Sequence, residues 1–238
     1  MEKIVGILGG MGPEATVDLF AKVLKCDPAL TDQDHLRIIV DCNSKIPDRN
    51  KARLEGTEDP EKALTSSARL LEEDGCGLII IPCNAAHLWH EKVQAAVKIP
   101  VLHIMRASCR YAMKKIPGLK KVGLLGSSVM YTTGIYHKAY EARGIEVLSP
   151  DKAEQDEAMR LIREVKKGNL SEDVRKGSAA IAQRMADQGA QGIILGCTEF
   201  PLVVFDGDIS VPVIDSTLAL AQEAVDVARG KISPDSLG

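Results

Sequence analysis

Three stretches of this chain occur twice, in the same order. Val5-Gly6-Ile7-Leu8-Gly9 returns as Val122-Gly123-Leu124-Leu125-Gly126, 117 residues on. The run from Gly75 to Cys83 returns without a gap as Gly189 to Cys197, 114 residues on, with Ile79, Ile80 and Ile81 matched by Ile193, Ile194 and Leu195. Ile99-Pro100-Val101-Leu102 returns as Val211-Pro212-Val213-Ile214, 112 residues on. One such match is unremarkable among strands rich in Val and Ile, but three in order with slowly drifting offsets point to a duplicated unit. A chain of 238 residues, 45% hydrophobic, is long enough for two such units with their own cores. With only 3% aromatic residues, those cores must be built mainly from Ile, Val, Leu and Ala.

Each unit reads as alternating strands and helices. Val5–Gly9 is a buried strand followed by a glycine turn, and Pro13 sits where a helix can start without its N–H. Thr16, Leu19, Phe20, Val23 and Leu24 then follow helical spacing. Leu36 to Asp41 predicts a second strand, Leu78 to Ile81 a third and Ile99 to Ile104 a short fourth. Asp59-Pro60 predicts an N-cap and first-turn proline, opening a helix that stops near Gly75. Apolar runs alternating with helices mean parallel sheets covered on both faces. The expected fold is therefore α/β, with two pseudo-symmetric domains.

Composition excludes several functions. The net charge is -3 and no basic block stands out, which argues against a nucleic-acid partner. The longest apolar run, Leu78 to Ile81, is too short to cross a bilayer. The opening residues lack the apolar stretch of a signal peptide, because glycines follow Leu8 at once. Six cysteines (Cys26, Cys42, Cys76, Cys83, Cys109 and Cys197) form no C-x-x-C pair, which predicts reduced thiols in the cytoplasm.

In open parallel sheets, ligands bind beyond the carboxyl ends of the strands. The segments to search are Gly9-Gly10-Met11-Gly12-Pro13-Glu14-Ala15-Thr16, Pro82-Cys83-Asn84-Ala85-Ala86-His87 and Gly196-Cys197-Thr198-Glu199. The repeat puts one cysteine at the same strand end in each half, and no other cysteine has such a mate, since Cys76 aligns with Ala190. Ala86, Trp89, Val93 and Val97 after Cys83 have helical spacing; after Cys197, Thr198 can cap and Pro201 can sit in a first turn. Thiols at helix N-termini would be favoured as thiolates. A single cysteine placed so is more simply a small buried residue; the symmetric placement reverses that preference. Two thiols on opposite faces of one carbon, in a cleft between the domains, could remove and return a proton. Glycine-loop amides could hold a carboxylate and spread the developing charge.

These residues resemble the aspartate/glutamate racemase superfamily, most nearly the aspartate racemases, over essentially the whole chain. The resemblance implies racemisation of an amino acid, aspartate or glutamate, with no cofactor and no metal, and with Cys83 and Cys197 as acid and base. It implies a first domain of residues 1–104 plus 216–238, a second of 105–215, and a homodimer. It assigns substrate contacts to Arg49, in Ile46-Pro47-Asp48-Arg49, and to Lys166, in Val165-Lys166-Lys167-Gly168-Asn169, with Lys167 adjacent. Thr132 and Thr133 are candidates for the other carboxylate, Met11, Gly12 and Asn84 for lining, and Thr198 follows the second cysteine. Ala85 stands where most aspartate racemases have Thr, so a broader amino-acid racemase is the chief variant.

Other readings compete. Gly10-Met11-Gly12-Pro13-Glu14-Ala15 fits the dinucleotide pattern G-x-G-x-x-G/A, but Asp41 lies 31 residues after Gly10 where about 20 is usual. A metal or redox site at His87, His90 and Glu91 does not match zincin spacing; a helix with His87 partly buried and His90 exposed is simpler. His35, His103 and His137 read as structural or surface residues. Another superfamily isomerase also uses two cysteines, and a purely binding module would have no need of them.

Overall fold

The computed structural model of the chain describes residues 2–237. Two parallel sheets are present, each flanked by helices. The first has β1 (Val5–Gly9), β2 (Ile38–Cys42) and β3 (Leu78–Ile80) in the order β2-β1-β3. The second has β4 (Lys121–Gly126), β5 (Glu146–Leu148), β6 (Ile193–Gly196) and β7 (Val213–Asp215) in the order β5-β4-β6-β7. The chain forms two compact units: one runs to Ala107 and resumes at Thr217, the other is Ser108–Ser216.

The repeat read from the sequence is a repeat of register. Gly6 lies opposite Ile79 as Gly123 lies opposite Ile193. Ile79 bridges Val101 as Ile193 pairs Val213. The expected strand Ile99–Ile104 is reduced to that single bridge, and Ile104 already opens the helix Ile104–Lys115. The backbone groups that would continue this pairing are bonded elsewhere: the Ile81 carbonyl accepts from the Cys83 N–H at 2.8 Å and the Ile104 N–H goes to the His87 ring, whereas in the second unit Leu195 still pairs with Asp215. Likewise the third strand stops at Ile80, and the second runs Ile38–Cys42 rather than Leu36 to Asp41.

The helices are shaped by their apolar faces and caps. Glu61–Glu73 buries Leu64, Ser67, Ala68 and Leu71 at helical spacing. It begins one residue after the expected start, yet Asp59 still caps it by accepting from the Glu61 N–H at 2.8 Å. Lys152–Lys166 opens with a reciprocal box, in which Asp151 accepts from the Glu154 N–H at 2.9 Å and Glu154 accepts from the Asp151 N–H at 3.1 Å. The second core gathers Leu125, Ile162, Ile181, Ile193, Leu195 and Phe200. Among the described residues, no helix is long and apolar enough to cross a membrane.

The helix Ser216–Ala228 is tied to the first unit at both ends. Lys22 Nζ donates to Thr217 Oγ1 at 2.7 Å, and beyond the other end Arg229 Nη2 donates to Asp27 Oδ1 at 2.6 Å. The Asp27 side chain is 1% exposed, and its other oxygen accepts from the Leu36 N–H at 2.8 Å. Burial pushes the Asp27 carboxyl up, but bonds from Leu36, Arg229 and His35 outweigh it and hold the group below its ordinary 3.8. A depressed carboxyl stabilises the fold above its unfolded value and loses that contribution as pH falls through the folded one. Arg229→Ala should therefore cost about 1–3 kcal/mol at neutral pH. The cost should shrink as pH falls below the ordinary carboxylate value and through the lower folded one, where Asp27 takes up a proton. Urea midpoints at neutral and acid pH check this; an equal loss at both would contradict it.

Candidate active site

In the first unit the expected residues leave three adjacent strand ends. After β1, Gly10 has φ +90, and a Cβ there would lie 2.3 Å from the Asn43 carbonyl carbon, so only glycine lets the two loops touch. Thr16, one turn into the helix Pro13–Cys26, holds this loop: its Oγ1 accepts from the Gly10 N–H at 2.9 Å and donates to the Gly12 carbonyl at 3.0 Å. After β2, Asp48 caps the helix Arg49–Glu55 by accepting from the Asn50 and Lys51 N–H groups. Arg49 reaches back from this helix. Its Nη1 donates to the Pro47 carbonyl at 2.8 Å and the Ile46 carbonyl at 3.0 Å, and its Nη2 to the Met11 carbonyl at 3.4 Å. These partners are neutral, so the guanidinium charge is not cancelled by them. Arg49 Nε is buried with no hydrogen-bond partner among the described residues.

After β3 come Cys83, Asn84 and Ala85, all buried. The expected helix beyond them is a 3-10 turn, Ala85–Trp89, followed by a short α-helix, His90–Ala95. His87 is fully buried rather than partly so, and His90 is half-buried rather than exposed, its Nε2 donating to the Val101 carbonyl at 2.8 Å. His35 bonds Asp27, and His137 bonds Ser149. Among the described residues, no group of three or more His, Cys, Asp or Glu is placed to hold a metal.

In the second unit, Cys197 and Thr198 follow β6. The helix expected after them is only the three-residue 3-10 turn Phe200–Leu202. Such a turn has no macrodipole to favour a thiolate, and the local charge acts the other way. Cys197 Sγ donates to Glu199 Oε2 at 2.8 Å, and Glu199 Oε1 lies 3.3 Å from Lys166 Nζ. Burial first, and the Glu199 charge second, push the Cys197 thiol well above its ordinary 9.0, with Lys166 pulling back. Cys197 is thus a protonated thiol at neutral pH, contrary to the thiolate that a helix start implied.

Glu199 brings Lys166 and Cys197 together, and sequence reading assigned it no role. The repeat offers a signal: at the same offset, Glu199 aligns with Ala85, so only the second unit has a carboxylate two residues after its cysteine. Lys167 turns to Glu164 instead. Thr132 and Thr133 lie on the helix Ser128–Thr133, and their hydroxyls donate back to Ser128 and Val129 carbonyls. Tyr131, just before them, is near enough to Cys197 for its phenol to be raised by that group, after burial as the main cause.

The fold is a doubled parallel α/β unit with a cysteine at the matched strand end of each copy. The chain belongs to the Asp/Glu/Hydantoin racemase family, whose profile matches residues 8–224, and it is an isomerase of that kind. It is 30% identical over 228 residues to the broad specificity amino-acid racemase RacX of Bacillus subtilis, covering 93% of this chain and 96% of the relative. Its structure matches an aspartate racemase of Picrophilus torridus with a TM-score of 0.83 and 32% identity, over 95% of this chain and 94% of the other. An aspartate racemase homologue from Pyrococcus horikoshii matches with a TM-score of 0.79 and 32% identity, over 96% and 100%.

The Cys197–Glu199 contact makes a direct prediction. Glu199→Gln removes the nearby charge, lowers the thiol's pKa, and should speed alkylation of Cys197 near pH 8 by about tenfold. Mass spectrometry of iodoacetamide-treated protein reads this; unchanged or slower labelling would contradict it.

Proposed function

We propose that this chain inverts the α-carbon of an acidic amino acid, aspartate foremost, by moving a proton between Cys83 and Cys197 without a cofactor. The observation that carries this reading is the matched placement of the two thiols, each four residues beyond the equivalent register positions Ile79 and Ile193.

The thiols then take different parts. Cys197, bonded to Glu199, starts as the thiol and acid. Cys83 serves as the base. Cys83 takes the α-proton and becomes a thiol, leaving a carbanion next to the substrate carboxylate. Cys197 then gives its proton to the other face and becomes a thiolate, so bonds and charge balance. The enzyme ends with the two roles exchanged and runs the opposite enantiomer from that state. A Cys197 thiolate beside Glu199 is a strong base, and Lys166 offsets part of that repulsion. Loop amides around Gly10 to Gly12 serve the substrate carboxylate as the charge develops. Met11, Asn84, Ala85, Thr132, Thr133 and Thr198 are the remaining proposed substrate contacts.

Arg49 supports an acidic substrate because its bonds go to neutral carbonyls and its charge remains for a carboxylate. The second reading is a broad amino-acid racemase. Ala85 favours it, since it supplies no hydroxyl for a polar substrate side chain, as does the likeness to RacX. The proposal includes a cytoplasmic homodimer. Val17, Phe20 and Leu24, at helical spacing on the helix Pro13–Cys26, are 69%, 36% and 37% exposed and offer an apolar face for a second copy.

Cys83→Ala and Cys197→Ala should each lower racemisation of aspartate by on the order of 10²–10⁴-fold. Chiral chromatography over a panel of acidic and neutral amino acids tests this, and wild-type turnover by either variant would exclude the two-thiol mechanism. On the same panel, Arg49→Ala should reduce kcat/KM for aspartate by about 10–100-fold while sparing neutral amino acids. Equal loss on both classes would make Arg49 structural.

A further inference from the structure

We infer that His87 is a positioning residue for Cys83, a neutral clamp that holds the cysteine's carbonyl and so sets the direction of its side chain. The inference deepens the two-thiol reading and rests on it.

The geometry decides the tautomer. His87 Nε2 lies 3.1 Å from the Ile104 backbone nitrogen, which carries a hydrogen and can only donate. Nε2 must therefore accept, and the ring proton must sit on Nδ1. Nδ1 lies 2.9 Å from the Cys83 carbonyl oxygen, which can only accept, so Nδ1–H donates to it. Both nitrogens are committed to backbone, and neither is left to serve the Cys83 thiol as a base. Ile104 is the first residue of the helix Ile104–Lys115, where an N–H has no partner within the helix. The imidazole thus joins the end of the Cys83 turn to the start of a long helix.

The surroundings maintain the neutral form. His87 is 3% exposed, and its ring centroid lies 5.8 Å from that of His90 and 5.1 Å from that of His103. Burial, and the nearby His90 after it, push its pKa down to about 3, against the opposing pull of the Cys83, Leu102 and Asn84 backbone. Protonation would turn the Ile104 contact into two opposed donors, so the clamp holds throughout the range in which an enzyme works.

Fixing the Cys83 carbonyl matters because Cys83 follows β3 in a tight turn, its own N–H donating to the Ile81 carbonyl at 2.8 Å. With the N–H held by Ile81 and the carbonyl by His87, the peptide on each side of Cys83 is fixed. The Cα–Cβ bond then has one direction. The matched position in the second unit is Pro201, which cannot make such a clamp; there the Glu199 carboxylate holds the sulfur itself. Each unit thus orients its thiol by a different device.

Two variants separate this role from simple packing. His87→Asn keeps an N–H donor near the Nδ1 position, and His87→Gln keeps an acceptor near the Nε2 position. Both should lose thermal stability to a similar extent. The Asn variant should keep kcat for aspartate within a few-fold, whereas the Gln variant should lose about 10–100-fold in kcat with little change in KM. Losses of kcat that follow stability alone, or that fall on KM, would overturn the inference. So would the disappearance of a limb of the pH profile, which would make His87 a titrating base. On the wild-type protein, nitrogen NMR of the histidine rings should show His87 as the Nδ1–H tautomer, unchanged from about pH 5 to 9; the other tautomer, or titration in that range, would overturn it independently of folding. If Cys83→Ala turns over at the wild-type rate, the two-thiol reading fails and takes this inference with it. If that variant is inactive while the Asn and Gln variants depart from the stated order, the clamp alone fails.

Discussion

Parallel pairing is the constraint from which the rest follows. Neighbouring parallel strands run the same way, so each must release its chain at the same edge of the sheet. In the first unit that edge receives the glycine loop after β1, Arg49 after β2 and Cys83 after β3. In the second it receives the helix Ser128–Thr133 after β4 and Cys197 after β6. Residues far apart in sequence gather because the ladder leaves them no other exit. In each order β1 or β4 lies between two neighbours and places its loop between theirs, and the glycines at positions 9 and 10 let the loop after β1 lie against Thr16 and Asn43.

Within this shared frame the two copies have diverged in charge. Ala85 and Glu199 occupy matched positions, and so do His87 and Pro201. One thiol is bonded through its sulfur to a carboxylate; the other is held through its carbonyl by an imidazole that stays neutral. A cation near the strand ends of each unit is in a different state. Arg49 spends its hydrogen bonds on neutral carbonyls, while Lys166 is paired with Glu199. Inversion needs one acid and one base at the start of each turnover, so unequal thiols suit it better than identical ones.

The repeat, the alternation of parallel strands with helices and the loops that carry the cysteines were legible because they depend on local apolar patterning and on glycine and proline. The matched offsets even carried the register, as Gly6–Ile79 and Gly123–Ile193 show. Less legible was whatever depended on neighbours brought in by folding. The fourth strand shrank to the Val101 bridge because the Ile81 carbonyl and the Ile104 N–H take other partners. Pro201 suggested a helix start after Cys197, yet only a single 3-10 turn forms, and the thiolate argument built on it gave way to the opposite protonation state. Glu199 lay in plain view beside Cys197, but only its side-chain geometry shows that it bonds the sulfur and meets Lys166.

Racemisation in deuterated water, followed from its first few per cent, tests the central claim most directly. If separate thiols serve the two faces, the newly formed enantiomer carries deuterium at the α-carbon from the outset while the recovered starting enantiomer keeps its hydrogen. Early deuterium in the starting enantiomer, or hydrogen carried through into the product, would mean that a single group handles both faces and would contradict the account.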